Sequence, residues 1–364
     1  MKFVKKIFLI NLYRSLGFPF VMPYKYIFLL TNICQSRCLT CNIWKIYRSG
    51  NGELLKRELS TYEYGKIFEK IKKDVLWLNF SGGEPFLRKD LVDLTRLAFK
   101  KFKNMIVFNM PTNGLETELI KEKVEEILEF KEENVKFFLT VSLDGPEYLN
   151  DKIRGVKGSY KRVRKTYNTL KKLSEKYKNF FVSFQSTISK YNINNYKEVF
   201  DEIKYTYQPI IAWAHENVYF NNIGLNINLT KVEKEKILKA IKYFHKNYPL
   251  TSLYNFIPKI FLKLAEKYYN NPKRLVLPCF ASFATITIDA YGNVKPCSYF
   301  TEAIANLRDF NFDIKKILKT TSKAKIFREN VKHEKCPHCW ANCEAYPSMI
   351  HNFPLTFIKL FSKK

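Results

Sequence analysis

The 364-residue chain has no apolar run approaching the roughly 20 residues that a membrane-spanning helix needs, which excludes a polytopic membrane protein. No small-residue cleavage site follows the basic, apolar opening MKFVKKIFLINLYRSLG, so the expectation is a cytoplasmic rather than a secreted protein. Acidic residues are missing from the first 52 positions, Glu53 being the first, while residues 1–50 hold eight Lys or Arg. The last 19 residues likewise contain three Lys and no acid. Glutamine is nearly absent, 3 against 30 asparagines, a bias that an AT-rich coding sequence leaves. No cysteine lies between Cys41 and Cys279, so the eight thiols form two groups, unlike the framework of a small disulfide-bonded domain. Clustered thiols in such a chain read as metal or iron–sulfur ligands.

At 46% hydrophobic and 26% charged residues, the chain is globular, with length for one large enzyme domain and a smaller one. Its 62 Lys+Arg against 34 Asp+Glu leave a net charge of +28, which asks for an anionic partner: nucleic acid, a membrane surface or an acidic substrate. Strand-like runs at 26–31, 75–87, 105–114, 135–146, 180–189 and 210–220 alternate with Lys/Glu-rich helical stretches such as 115–131 and 160–178. That alternation is the signature of a parallel α/β structure.

The first thiol group, CQSRCLTC, spaces Cys34, Cys38 and Cys41 as C-x3-C-x2-C. Three ligands on one loop suit three irons of a [4Fe–4S] cube, leaving the fourth without a protein ligand; a zinc loop or buried free cysteines are the alternatives. The loop follows the first strand, and the second strand ends in Gly82-Gly83-Glu84-Pro85. In this combination the sequence resembles the radical SAM superfamily. Thr112-Asn113-Gly114, Ser142-Leu143-Asp144-Gly145 and the segment YLNDKIRGVKGSY extend the likeness in order. The resemblance implies a partial (βα)6 TIM-type barrel over about 25–225, with its chemistry at the strands' C-terminal ends. It implies Cys34, Cys38 and Cys41 as ligands of a [4Fe–4S] cluster whose open iron is chelated by S-adenosylmethionine (SAM). Gly82 and Gly83 would let the backbone approach the cofactor's ammonium, with Glu84 as a charge-assisted acceptor. Ser142 and Asp144 would stand near the ribose or carboxylate, and Arg154 near the carboxylate, a solvated salt bridge being the plainer role for Arg154. Thr40 departs from the aromatic residue that family members carry before the third cysteine.

The second group resembles SPASM and twitch modules. Cys279 and Cys297 bracket Gly292 as C-x12-G-x4-C across an expected β-hairpin, and Cys336, Cys339 and Cys343 form C-x2-C-x3-C. Five thiols are too few for two fully cysteine-ligated cubes, so one auxiliary [4Fe–4S] cluster is expected on Cys279, Cys297, Cys336 and Cys339, with Cys343 as alternative fourth ligand or spare. A zinc ribbon, suggested by Cys-Pro-His-Cys and His333, competes. The expected layout is a basic amphipathic segment (1–24), the barrel, a helical connector (226–275), a small α+β iron–sulfur domain (276–345) and a basic, apolar tail (346–364). His215 and Glu216, ending the sixth strand, are candidates for proton transfer, against ordinary rim polarity.

The resemblance implies reductive cleavage of SAM to a 5′-deoxyadenosyl radical that abstracts hydrogen from an unactivated C–H, with an external electron donor of the ferredoxin or flavodoxin type. The Phe/Leu/Lys composition of residues 1–16 and 353–364 directs the substrate expectation to a membrane lipid chain, with a peripheral position on the inner membrane face. The alternative is a peptide, since SPASM-type modules accompany peptide-modifying enzymes; tRNA ranks below both. Ser298 stands where sulfatase-maturating members carry Asp, which counts against that activity.

Overall fold

A computed structural model describes residues 2–48, 52–229, 232–250, 255–273, 275–297, 299, 302–336 and 338–361. Ser298 and the terminal residues 362–364, which entered the sequence expectations, lie outside them. Six strands run parallel: β1 (Lys25–Leu29), β2 (Trp77–Ser81), β3 (Val107–Thr112), β4 (Lys136–Ser142), β5 (Phe180–Ile188) and β6 (Ile210–Trp213). Helix α1 (Lys2–Leu16) precedes them. The crossovers carry α2 (Gly52–Lys56), α3 (Thr61–Ile71), α4 (Leu91–Lys101), α5 (Thr117–Phe130), α6 (Glu147–Arg154), α7 (Ser159–Lys176) and α8 (Tyr196–Ile203). After β6 come α9 (Lys234–Asn247) and α10 (Phe256–Asn270). Then come β7 (Thr285–Ile288), β8 (Asn293–Lys295), β9 (Ala305–Asn306), α11 (Ile314–Thr320), α12 (Ser322–Lys332), α13 (Asn342–His351) and α14 (Phe353–Phe361).

Local sequence explains these elements. α3 starts at a capping box in which Ser60 and Glu63 satisfy each other's backbone N–H, and α4 buries Leu91, Leu94, Thr95, Ala98 and Phe99 at helical spacing. On the helix-facing side of the sheet, Phe80, Phe108, Phe137 and Phe180 come from consecutive strands with ring centroids 4.9–5.4 Å apart. Each such buried ring contributes roughly 1.5–3 kcal/mol. The alternate residues of the same strands, among them Asn109, Thr140 and Ser183, face the barrel interior.

The strand order is β6-β5-β4-β3-β2-β1-β7-β8-β9, an open, partial barrel in which β6 does not meet β1. The C-terminal hairpin continues this sheet: β7 pairs in parallel with β1, Lys25 opposite Thr285. The start of α13 closes the seam. Lys25 of β1, entirely buried, donates to Cys343 O at 2.7 Å, and Asn342 donates to Ile211 O of β6 at 3.0 Å. The sixth strand is shorter than expected. The last ladder bond is Ala214 N to Ile188 O, after which Asn217 and Asn222 side chains bond backbone N–H groups and turn 214–229 into a loop.

Among the described residues no helix is long and apolar enough to cross a membrane. α1 packs inward through Ile10 and Tyr13 against Phe283, and Arg14 donates to Cys279 O at 3.0 Å. Its outer face leaves Val4 and Phe8 exposed. His351 of α13 holds α1 through Asn11, with its Nδ1 2.7 Å from Asn11 Oδ1 and its carbonyl accepting from Asn11 Nδ2 at 3.1 Å. Burial, reinforced by Arg14, pushes the imidazole pKa down to about 3. Because the folded value lies below the unfolded one, its contribution is complete above about pH 6.5 and is lost as pH falls toward 3. His351→Phe is therefore expected to remove about 3 kcal/mol of acid sensitivity between pH 6.5 and 4, read as a flatter Tm-against-pH curve.

Candidate active site

Cys34, Cys38 and Cys41 sit on the loop after β1 and line a cavity of about 260 Å³ at the C-terminal ends of the strands, with Gly82, Gly83, Asn113, Ser142 and Arg154. The loop lacks regular structure and is held by other loops. Gly83 N and Glu84 N donate to Thr31 O and Ile33 O at 2.7 Å, and Arg37 N and Leu39 N donate to Arg154 O and Ile153 O at 2.9 and 2.8 Å. From the far side Asn42 N donates to Phe220 O and Asn222 Nδ2 to Thr40 O, both at 2.8 Å.

The two glycines also meet a steric demand that the expectation did not include. A Cβ at Gly82 would lie 2.4 Å from Thr31 O, and one at Gly83 2.2 Å from Ile33 O. The room they leave is filled by the cluster loop's own backbone. Gly82 φ is +137°, a conformation that L side chains rarely adopt.

Glu84 is placed differently. It is fully buried and accepts from Thr112 Oγ1 (3.0 Å), Asn113 N (2.6 Å) and Phe86 N (3.2 Å), tying the β2 loop to the end of β3 rather than lining the cavity. Burial raises its pKa to about 7 against the lowering effect of those three bonds. Asp144, too, is turned inward: it accepts from Thr187 N at 2.8 Å and pairs with Arg154 Nε at 2.8 Å. Arg154 is no solvated surface bridge. Its guanidinium is buried, borders the cavity and lies 3.9 Å from Cys38 Sγ. Ser142 lines the cavity.

Burial pushes the Cys34 thiol up to about 12 and raises Cys38 and Cys41, with Arg154 opposing the rise at Cys38. Three thiolates in this space need more positive charge than one guanidinium gives. Iron bound to all three would supply it, so the donor set fits a cluster with one iron left open. Thr40 borders the cavity and supplies the carbonyl that Asn222 holds.

At the second group Cys279, Cys297, Cys336 and Cys339 line one void, and Cys343 is not among its walls. Burial raises Cys279 to about 12 and Cys339 further. His333 pairs with Glu329 on an exposed face, away from the void, whereas His338 borders the void with its Nε2 2.8 Å from Glu334 O. Among the described residues no three His, Cys, Asp or Glu side chains converge on a single metal ion at either group. A cube spreads its ligands over its corners and requires thiols around a void, which both groups provide.

The loop after β6 joins the two groups. His215 lines the first cavity and also a second one of about 480 Å³ bounded by Tyr268, Tyr299, Lys273, Trp340 and Cys339. Its ring stacks on Tyr299 at 4.5 Å, two residues beyond Cys297, and its Nδ1 lies 3.0 Å from Trp213 O. Burial lowers its pKa. Glu216 also borders the second cavity, and its carboxylate accepts from Asn226 N and Asn228 Nδ2, closing its own loop. The sequence offered no signal for Tyr219, which donates to Gly82 O at 3.1 Å, or for the hairpin tip, where Tyr291 Oη meets Asn32 Nδ2 at 3.0 Å and Tyr47 Oη at 3.2 Å. These partners are remote in sequence and are brought together only by the sheet.

Two family models match this arrangement, the radical SAM superfamily over residues 28–203 and an iron–sulfur cluster-binding SPASM domain over 279–344. The chain belongs to the radical SAM superfamily of enzymes, whose cofactors are SAM and [4Fe–4S] clusters. Its C-terminal module places it with the SPASM-bearing members. It is 27% identical over 259 residues to Fe-coproporphyrin III synthase of Methanosarcina barkeri, covering 67% of this chain and 59% of that protein. It is 24% identical over 329 residues to the antilisterial bacteriocin subtilosin biosynthesis protein AlbA of Bacillus subtilis, covering 87% and 66%. The sporulation killing factor maturation protein SkfB of the same organism is 31% identical over 174 residues, 48% of this chain and 38% of that protein. The chain thus spans less than two thirds of each of these relatives. The solved structure of anSMEcpe with bound AdoMet and a Cp18Cys peptide superposes with a TM-score of 0.58 at 16% identity, covering 93% of this chain and 99% of that one, and so shares the fold.

Proposed function

We propose that this radical SAM enzyme modifies a peptide, and that its substrate lies between the two thiol groups. The observation that carries the proposal is the pair of cavities with His215 in the walls of both. The outer one is broad, aromatic and polar, which suits a peptide segment whose one reacting C–H must reach the inner one. The relatives named for bacteriocin biosynthesis and killing-factor maturation support the same reading, as does a 37% identical stretch of 87 residues in a PqqA peptide cyclase of Bradyrhizobium diazoefficiens. These names replace the lipid-chain reaction expected from the sequence, which they do not support. A tetrapyrrole is the second reading, favoured by the identity to Fe-coproporphyrin III synthase.

In this proposal Cys34, Cys38 and Cys41 hold the SAM-binding cluster, and Cys279, Cys297, Cys336 and Cys339 hold one auxiliary cluster, with Cys343 spare. When bound, the first cluster and SAM supply a 5′-deoxyadenosyl radical. The backbone at Gly82 and Gly83, Ser142 and Arg154 orient SAM, and Arg154 is itself oriented by Asp144. An external ferredoxin- or flavodoxin-type donor supplies the electron. His215, neutral and with Nδ1–H on Trp213 O, keeps Nε2 free of that bond to accept a substrate proton.

Anaerobic turnover with SAM and perdeuterated peptide pools tests the reading: deuterium should appear in 5′-deoxyadenosine. Deuterium transfer from a deuterated iron-coproporphyrin with none from peptides would replace it by the second reading. His215→Gln is expected to lower peptide product about 100-fold while substrate-free SAM cleavage persists, as measured by mass spectrometry of both products.

A further inference from the structure

The barrel has a second chamber at the end remote from the cysteines. At the N-terminal ends of β2 to β6 the interior is not filled by side chains, and a cavity of about 490 Å³ remains, within the size range of ligand pockets. Trp77, Phe138 and Phe181 form its strand walls, and Ile350 of α13 closes the seam side. The Trp77 indole N–H is bonded to Asn109 Oδ1 at 2.6 Å and the buried Lys25 Nζ stands 4.3 Å from its ring centroid, so the tryptophan brings no spare donor to the chamber.

The mouth is bounded by Phe3, Ile106 and Ile257. Outside it the surface stays apolar: Ile106 is 39% exposed and Ile257 42%, and Val4 and Phe8, one turn apart on the outer side of α1, are 69% and 65% exposed. Lys2 and Lys6 fasten α1 beside this mouth through Asn104 and Asp74, and Lys5 is exposed between them. The first 52 residues carry no acid, so the charged side chains of α1 itself are all cations, one of them, Lys6, paired with Asp74. Exposed aliphatic and aromatic side chains set among lysines are the chemistry of an interfacial helix on an anionic bilayer. The chamber wall is mostly rings and aliphatic groups, with Asn109, Lys136, Thr140, Ser183 and Gln208 set between them, and Phe3 of α1 borders it, a lining that suits a hydrocarbon chain.

We propose that the base of the barrel seats on an anionic membrane and that this chamber takes up one hydrocarbon chain of a membrane lipid. The site lies at the opposite end of the strands from the cavity of Cys34, Cys38 and Cys41 and does not depend on which substrate is modified.

The test uses the full chain with phosphatidylcholine vesicles containing about one quarter phosphatidylglycerol brominated in its acyl chains, at low salt. The expected result is co-sedimentation together with quenching of tryptophan emission. Trp77→Phe should remove the quenched component without changing sedimentation. Val4→Glu with Phe8→Glu, both at exposed positions, should reduce the bound fraction about tenfold or more. Protein remaining in the supernatant with these vesicles overturns the proposal. So does sedimentation in which the quenching persists undiminished in Trp77→Phe, because the chain is then not in the chamber.

Discussion

Replacing Cys34, Cys38 and Cys41 together by alanine is expected to abolish 5′-deoxyadenosine formation and to lower bound iron from about eight to about four per chain. The three thiols share one cavity and are raised by burial, so none is a useful thiolate without iron beside it. The second void is built from α13, the hairpin and the segment before β7, and it shares no thiol with the first. Its iron should therefore survive, and the variant should stay folded because the cluster loop is held mainly by backbone bonds to β2, α6 and the loop after β6. The complementary variant, with Cys279, Cys297, Cys336 and Cys339 replaced, should keep about four irons and still cleave SAM.

Gly83→Ala is expected to be nearly as damaging without touching a thiol. The new methyl would stand 2.2 Å from Ile33 O and 2.8 Å from Ile33 C, which are backbone atoms with no rotamer to yield. To relieve the clash, the cluster loop must move off the β2 loop and give up the bonds from Gly83 N and Glu84 N. A loss of about 3 kcal/mol or more is expected, with the SAM-binding cluster lost preferentially. Iron content, SAM cleavage and the midpoint of denaturant unfolding read the effect. Gly52→Ala is the control: it lies on α2, meets nothing within 4 Å and should be neutral or slightly stabilising.

The contrast between cysteine and carboxylate shows what could be read from residues alone. Thiol spacing is a local property, and strands one to five announce themselves by apolar runs, so the barrel and the two thiol groups were legible. Glu84 and Asp144 look like cofactor ligands by type and place, yet each is consumed by backbone N–H groups or by Arg154. A sequence cannot show which donors reach a carboxylate first. The sixth strand was overextended because Val218, Tyr219 and Phe220 keep an apolar pattern, while the asparagine side chains that break it act through tertiary bonds. The pairing of β7 with β1 joins residues about 260 positions apart, and no local pattern encodes such a partner. Substrate was the least legible, since the cavity next to His215 is assembled from the β6 loop, α10 and the C-terminal module.

The most direct measurement is 5′-deoxyadenosine release by the full chain, reconstituted anaerobically to about eight irons and reduced with dithionite in the presence of SAM. The account predicts protein-dependent 5′-deoxyadenosine and methionine in equal amounts. Fully iron-loaded, reduced protein that leaves SAM intact would contradict it.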